Sequence, residues 1–395
     1  MSSSTRLLLH YFCASVNTLC LNTFPNYFSY CRAWRISAIA IRSAVAMGLH
    51  LRNESEGIAF VSKESRYRLW WALHLLDILL CVMTGRPPNN PMLFCTTPLS
   101  VPYDEEEFCK TDVLPYVPVE QDRYTLIRSL LDHRSASEFD RSRLGPTSFA
   151  QSTTNLGQEC GQPAVPLKGN VLPCDSMYFL YMVDLAIITQ ETVEALYSPG
   201  RGRRSSLDVE IAASFLNAAA ERWLSRLPAV YDFTAIESKK SSDRRRIGLA
   251  FFFYSAKLLI LQPCLHFTIY GAKEGESPSN SCTTMANTCV NIACQIIDLL
   301  PDEPDAGWLY RYSPWWSVIH NITQSTTVLM THLFAQTYPS SIGNVDKAQR
   351  INKATKWLVV VSTRDPRAER VWSVLKDIVS SHGTGFGLDA YLDPQ

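Results

Sequence analysis

Apolar residues recur along this chain at helical rather than strand spacing. Trp34, Ala38, Ile41 and Val45 follow i, i+4, i+7, i+11, which is one stripe on an α-helix, while Arg35 and Arg42 fall off it toward water. Gly48 stands where that helix should stop, because glycine enters the left-handed cap conformation without steric cost. A second helix is expected to begin near Ser62 as N-cap, with Glu64 in the first turn, where a negative charge suits the helix dipole. Leu69, Leu73, Leu76 and Leu80 form its stripe, and Tyr67, Trp70, Trp71, Ile78 and Cys81 cover most of the rest. A helix apolar nearly all round belongs at the centre of a helical array. Gly85 stops it and Pro87-Pro88 forbid its return.

From Thr97 to Pro118 the chain is rich in proline and acid and reads as extended surface loop. Residues 133–173 are poor in periodic apolar positions and read as a long loop or partly disordered linker. Helical spacing resumes at Ser176 and runs to Leu196. Leu207–Leu227 predicts another helix, with Ile211, Phe215, Ala218, Trp223 and Leu227 available for burial. Further helices are predicted over Arg246–Leu261, Ser281–Leu300, Ser313–Phe334, Ala348–Val361 and Pro366–Ser380. Strand-type alternation is scarce and no strict repeat marks a solenoid, so the chain reads as an all-α multi-helix array. The expected division is 1–118 as the first helical part, 119–175 as loop or linker, 176–381 as the second helical part of the same domain, and 382–395 as tail.

Composition narrows the function classes. The 395 residues carry 37 basic and 37 acidic side chains, so the basic excess of a protein that grips nucleic acid directly is missing. Twelve cysteines are scattered without a Cys-x-x-Cys pair, which favours small buried apolar residues in a reducing compartment over disulfides or a metal site. The apolar runs 69–83 and 250–261 are too short to span a bilayer, so no membrane partner is expected. Catalytic patterns fail: there is no His-Glu-x-x-His, Gly-x-Ser-x-Gly or phosphate loop, and no catalytic or metal-ligating residue is assigned.

Two groups merit weighing as sites. His74 and Asp77 are three apart and share a helical face. They either touch a regulatory ligand or form a buried polar pair that fixes helix packing, with Arg86 as the expected cation for Asp77, since an unpaired buried carboxylate is costly. Trp70-Trp71 and Trp315-Trp316 line either a ligand pocket or, as large aromatics more often do, the core. The basic runs Lys239-Lys240 and Arg244–Arg246, and Arg201, Arg203 and Arg204, read as solvated loop ahead of a nuclear import signal or phosphate contact. Residues 383–387 alternate glycine without a preceding strand and read as flexible tail.

The order of these features resembles the regulatory domain of fungal zinc-cluster transcription factors. Trp34, Ala40-Ile41-Arg42 and Gly48-Leu49-His50 match its first block. Glu64, Arg66, Arg68, Trp70-Trp71, Asp77 and Gly85-Arg86-Pro87 match its second, with Tyr67 and Ile78 where basic residues are common. Leu259–Leu265 (with Gln262 in place of arginine), Trp315-Trp316, and Trp357-Leu358 followed by Ala368-Glu369-Arg370 resemble its later blocks. The resemblance implies a nuclear regulator of transcription, whose partners are the transcription machinery, a homologous regulator or a small-molecule effector. It also implies a Zn₂Cys₆ cluster, yet no six-cysteine cluster, basic region or heptad run precedes Trp34. The expectation is therefore no cofactor in this chain, and DNA contact through a missing segment or a partner. The rival readings are a helical small-molecule-binding or enzyme-like protein, and an interaction protein that titrates a full-length homologue.

Overall fold

The computed structural model describes residues 28–55, 57–90, 92–108, 120–131, 173–198, 205–234, 243–270, 278–312, 315–335, 342–363 and 365–382. The described residues are helical and contain no strand, as the spacing predicts. The chain divides into two compact units, the first including Arg32–Ile187 and Arg222–Val230, the second including Ile188–Glu221 and Tyr231–Gln395. The breaks at 187/188 and 221/222 fall inside helices.

In the first unit, α1 (Phe28–Ala46) and α2 (Phe60–Thr84) form the frame. Each ends on a glycine in the left-handed region, Gly48 at φ 67° and Gly85 at φ 63°. At Gly48 the amide of Leu49 reaches back to Ala44 O at 2.9 Å and that of Gly48 to Val45 O at 2.9 Å, which satisfies carbonyls the helix end would orphan. The buried face of α1 is centred one residue off the expected stripe. Ser37, Ile41 and Ala44 are 1–2% exposed, while Trp34, Ala38 and Val45 are only partly covered. Ser37 turns inward because it faces a carboxylate on α2. Helix α2 starts two residues before Ser62, at Phe60, with Ala59 at the N-cap and no side-chain cap. Ile41, Ala44, Leu49, Trp70, Trp71, Leu73, Cys95, Val183 and Ile187 make one continuous core cluster.

The expected loop or linker 119–175 contains a helix, α3 (Glu120–Leu130), whose Leu126, Ile127 and Leu130 are buried. Its eleven residues are too short for a clear apolar stripe, and its stability comes from its ends. The carbonyls of Leu130 and Leu131 are met by Tyr181 Oη at 3.3 Å and Arg226 Nη1 at 2.7 Å. Residues 132–172 of the expected linker, and the expected tail from 383, lie outside the described residues. Helix α4 (Asp175–Thr192) follows, its first turn capped by Asp104 Oδ1, which accepts from Ser176 N at 3.2 Å and Ser176 Oγ at 2.6 Å. It runs into a single π-turn, Val193–Tyr197.

Helix α5 (Ser206–Ser225) buries Val209, Ala213, Leu216, Ala220 and Trp223. Of the residues expected inside, Trp223 is buried, but Ile211 and Phe215 are 55% and 39% exposed.

In the second unit, α6 (Arg244–Tyr270) packs on α7 (Asn280–Asp298), α7 on α9 (Trp315–Phe334), α9 on α10 (Ile342–Ser362), and α10 on α11 (Pro366–His382). A short α8 (Ala306–Tyr312) leans on α6. Helix α6 extends well past the expected end at Leu261 and passes through Pro263. A proline has no N–H for the carbonyl four residues back, so Leu259 O would be orphaned. Tyr197 Oη donates to that oxygen at 2.7 Å, and the π-turn is what aims it there.

Two helices, Phe60–Thr84 and Arg244–Ile269, are long and apolar enough by composition to cross a membrane, longer than the runs legible in sequence. Their most apolar windows are 56% and 78% buried within the protein, which marks them as core helices.

Candidate functional site

Asp77 sits at the centre of α2, fully buried. Its partners come from the turn after Gly85, not from Arg86. Asn89 N donates at 2.6 Å and Asn90 N at 3.1 Å to Oδ2, and Asn89 Nδ2 donates at 2.8 Å to Oδ1. The Ser37 hydroxyl also faces the carboxylate, just outside hydrogen-bond geometry, and favours its charged form. Burial raises the Asp77 pKa above the usual carboxylate range, and these donors only partly offset it. The Arg86 guanidinium instead lies over the Trp34 ring, 4.9 Å from its centroid. The expected Asp77–Arg86 pair is thus replaced by a carboxylate–amide clasp, because the turn presents two consecutive backbone amides to the acid. The indole of Trp34 donates to Pro87 O at 3.2 Å and closes the other side of the turn.

His74 lies one turn earlier, with no exposed surface. Asn90 Nδ2 is 2.9 Å from its Nδ1, so a neutral ring with its proton on Nε2 fits that contact. Burial alone holds its pKa down to about 3, far below the usual histidine value. Among the described residues Nε2 finds no hydrogen-bond partner, nor does Asn90 Oδ1. Trp71 packs edge-on to His74 at 5.4 Å and donates its indole N–H to Pro98 O at 2.9 Å. Trp70 is fully buried beside His50, with ring centroids 5.8 Å apart. Trp70 and Trp71 are therefore core. Helix α9 begins at Trp315, and the side chains of Trp315 and Trp316 lie outside the described residues.

A second polar centre lies on the same helix and was not singled out from sequence. Glu64, expected in the first turn for its charge, is 1% exposed. Its Oε2 takes Arg123 Nη2 at 2.7 Å, and its Oε1 takes Arg68 Nε at 3.3 Å and Val101 N at 2.9 Å. Arg68 also bonds Tyr103 O and lies 5.2 Å from the Phe108 ring centroid, while Arg123 donates to Leu99 O and stands 5.2 Å from that of Tyr67. The bonds to Leu99, Val101 and Tyr103 hold the segment 99–103 against α2 and α3, and Arg123 ties α3 to α2. The signal was the helical spacing of Glu64 and Arg68. Arg123 had none, being 59 residues from Glu64.

In both centres the charged groups are desolvated and held by backbone and side-chain hydrogen bonds, and the imidazole of His74 meets the side chain of Asn90. The Cys81 thiol donates to Arg86 O, and burial pushes its pKa up to about 12. The eight described cysteines are free thiols, and among the described residues no three metal-ligating side chains converge. In the second unit an open groove of about 440 Å³ is lined by Asp298, Asp302, Asp346, Arg350 and Lys353. These charges already pair: Arg350 spans Asp298 with two bonds of 2.9 Å, and Lys353 meets Asp302 at 2.7 Å. Of the basic runs, residues 201–204 and 235–242 lie outside the described residues. Arg245 opens α6 beside Asp243 at 3.8 Å.

Residues 13–225 match the fungal specific transcription factor domain, and the chain belongs to that family. It is 30% identical over 396 residues to the transcription regulator galc of Aspergillus niger, across 91% of this chain and 45% of that protein. Shorter matches are 40% identity over 65 residues to the thiamine repressible genes regulatory protein thi1 of Schizosaccharomyces pombe (16% of this chain, 8% of that one), and 38% over 60 residues to transcription factor FBD3 of Gibberella moniliformis (15% and 8%). The chain thus spans less than half the length of the relatives it matches. No solved structure matches.

Proposed function

We propose that this chain is the regulatory part of a nuclear regulator of transcription, acting through protein partners and not as an enzyme. The observation that carries the reading is the family match over residues 13–225, supported by a relative named as a transcription regulator along 91% of the chain. The chain itself holds no zinc, and DNA is reached through another segment or a partner. Its helical array receives a signal or a partner, the transcription machinery or a homologous regulator, and the two buried clasps keep the array in one arrangement. The enzyme-like rival needs a reactive centre, and the described polar clusters are occupied by structural hydrogen bonds. The test fuses the whole chain to a heterologous DNA-binding domain and reads a reporter in a fungal cell, with a fluorescent copy to follow location. Reporter output should depart at least several-fold from that of the DNA-binding domain alone, and the fluorescence should be nuclear. Unchanged output together with cytoplasmic fluorescence would overturn the proposal.

A further inference from the structure

Helix α1 buries one face and leaves the other basic and apolar. Cys31, Ala33, Ser37, Ile41 and Ala44 are at most 6% exposed. On the opposite face Arg32, Arg35, Ile39, Arg42 and Ala46 follow 3-4-3-4 spacing and all meet water, Ile39 being 66% exposed. The helix carries no acid, and among the described residues these three arginines form no ion pair. The pattern continues past the Gly48 cap, where Met47 and Leu51 are exposed. The turn Met92–Phe94 belongs to the same corner. Thr96 N donates to His50 O at 2.8 Å, and Arg52 N donates to Thr96 Oγ1 at 2.9 Å. That turn presents Leu93 and Phe94, each 71% exposed. Residues 28–53 and 85–103, which build the corner, contain five arginines and no aspartate or glutamate, in a chain whose charges balance overall.

We propose that this corner docks an acidic segment of a partner protein, one in which carboxylates alternate with large apolar side chains. Arg35 and Arg42 stand two turns apart with Ile39 between them, and Arg32 lies one turn before Arg35. A peptide laid along α1 sets a carboxylate at each guanidinium and an apolar side chain on Ile39. Its next apolar groups meet Met47, Leu51, Leu93 and Phe94. The apolar contacts supply affinity, while the arginines attract the segment and fix its register. Other occupants fit worse. Phosphates of a duplex would meet the arginines but leave Ile39, Leu93 and Phe94 without a use. A lipid surface takes a continuous apolar helix face, and that face of α1 is packed into the core. A second copy would set arginine against arginine, with no acid in the corner to answer it. The surface lies within the first unit, and the inference does not depend on the transcriptional reading.

Fluorescence anisotropy of the full chain with a labelled synthetic peptide that alternates aspartate with leucine and phenylalanine tests it. The peptide should bind at roughly micromolar concentration and more weakly as salt is raised. A peptide with serine in place of its apolar residues, and one with lysine in place of aspartate, should each bind about tenfold more weakly or not at all. Ile39→Glu, and Arg35→Glu with Arg42→Glu, should weaken the acidic peptide by about tenfold with an unchanged melting temperature, because these side chains face solvent. The double arginine reversal should also gain affinity for the lysine peptide, a result that a damaged fold would not give. Duplex DNA and vesicles of anionic lipid should compete poorly for the site. Absence of binding, binding indifferent to Ile39→Glu or to the arginine reversal, or a reversed chain that gains nothing for the lysine peptide would each overturn the proposal. Displacement of the peptide by DNA or vesicles at lower concentration than by unlabelled peptide would overturn it as well, and would assign the corner to nucleic acid or membrane.

Discussion

At the scale of single residues, Asp77 is the anchor of the turn that follows α2, and its role is measurable. Asp77→Ala would leave the amides of Asn89 and Asn90 and the Asn89 side chain without their acceptor in a dry interior. Unmet buried donors cost about 1–3 kcal/mol each, and the loss is expected to reach roughly 3 kcal/mol by denaturant unfolding. Arg86→Ala removes only a ring contact over Trp34 and should cost about 0.5–1 kcal/mol. In double-mutant cycles Asp77→Ala should be additive with Arg86→Ala and non-additive with Asn89→Ala. Coupling to Arg86 would contradict the clasp. His74 gives a pH signature. Its folded pKa is depressed to about 3 while an unfolded histidine titrates near its ordinary 6.5, so the unfolded state binds the extra proton as pH falls. Stability is full above pH ~6.5 and is lost progressively toward pH ~3, at up to ~1.4 kcal/mol per pH unit. His74→Gln should flatten the slope of unfolding free energy between pH 7 and 5, and an unchanged slope would show that His74 is not buried neutral.

At the scale of elements, the clearest case is α6, which continues through a proline because another helix supplies the missing donor. Tyr197→Phe keeps the ring and removes the hydroxyl that meets Leu259 O. It should cost about 0.5–1.5 kcal/mol and hasten amide exchange in the turn around Pro263, and a variant with neither effect would mean that the carbonyl is satisfied otherwise. This case also shows what sequence can and cannot carry. Stripes and stops that are local, such as Leu69 to Leu80 and the glycines at 48 and 85, were legible as helix and end. The continuation past Pro263 was not, since the compensating tyrosine is 62 residues away from Leu259. The short α3 was missed for the same reason: its stability comes from Arg123, Tyr181 and Arg226, not from its own periodicity. The polar residues on α2 were legible as a group, because His74 and Asp77 interrupt an apolar helix. Their partners were not, because backbone amides of a turn have no letter in the sequence. On α5 both faces are apolar, so periodicity could not say which would be buried.

At the scale of the whole molecule, the balance of 37 basic and 37 acidic side chains sets what the chain can do with DNA unaided. Phosphate affinity comes from concentrated positive charge and counterion release, and it falls steeply with salt in proteins that make many such contacts. Part of the cationic inventory is committed internally. Arg68 and Arg123 are buried around Glu64, and Arg350 and Lys353 are paired across their groove. Burial raises the thiols of Cys81 and Cys289 to about 12, and among the described residues no three metal-ligating side chains converge. The purified chain is therefore expected to carry less than one zinc per molecule by metal analysis. At physiological salt it should bind duplex DNA only at micromolar concentration or weaker and with no preference among sequences. Joining a sequence-reading domain to it should raise affinity and selectivity together. Nanomolar, sequence-selective binding by the chain alone, or stoichiometric zinc whose removal unfolds it, would mean that it contains a reader of its own and that the regulatory role proposed here is only part of what it does.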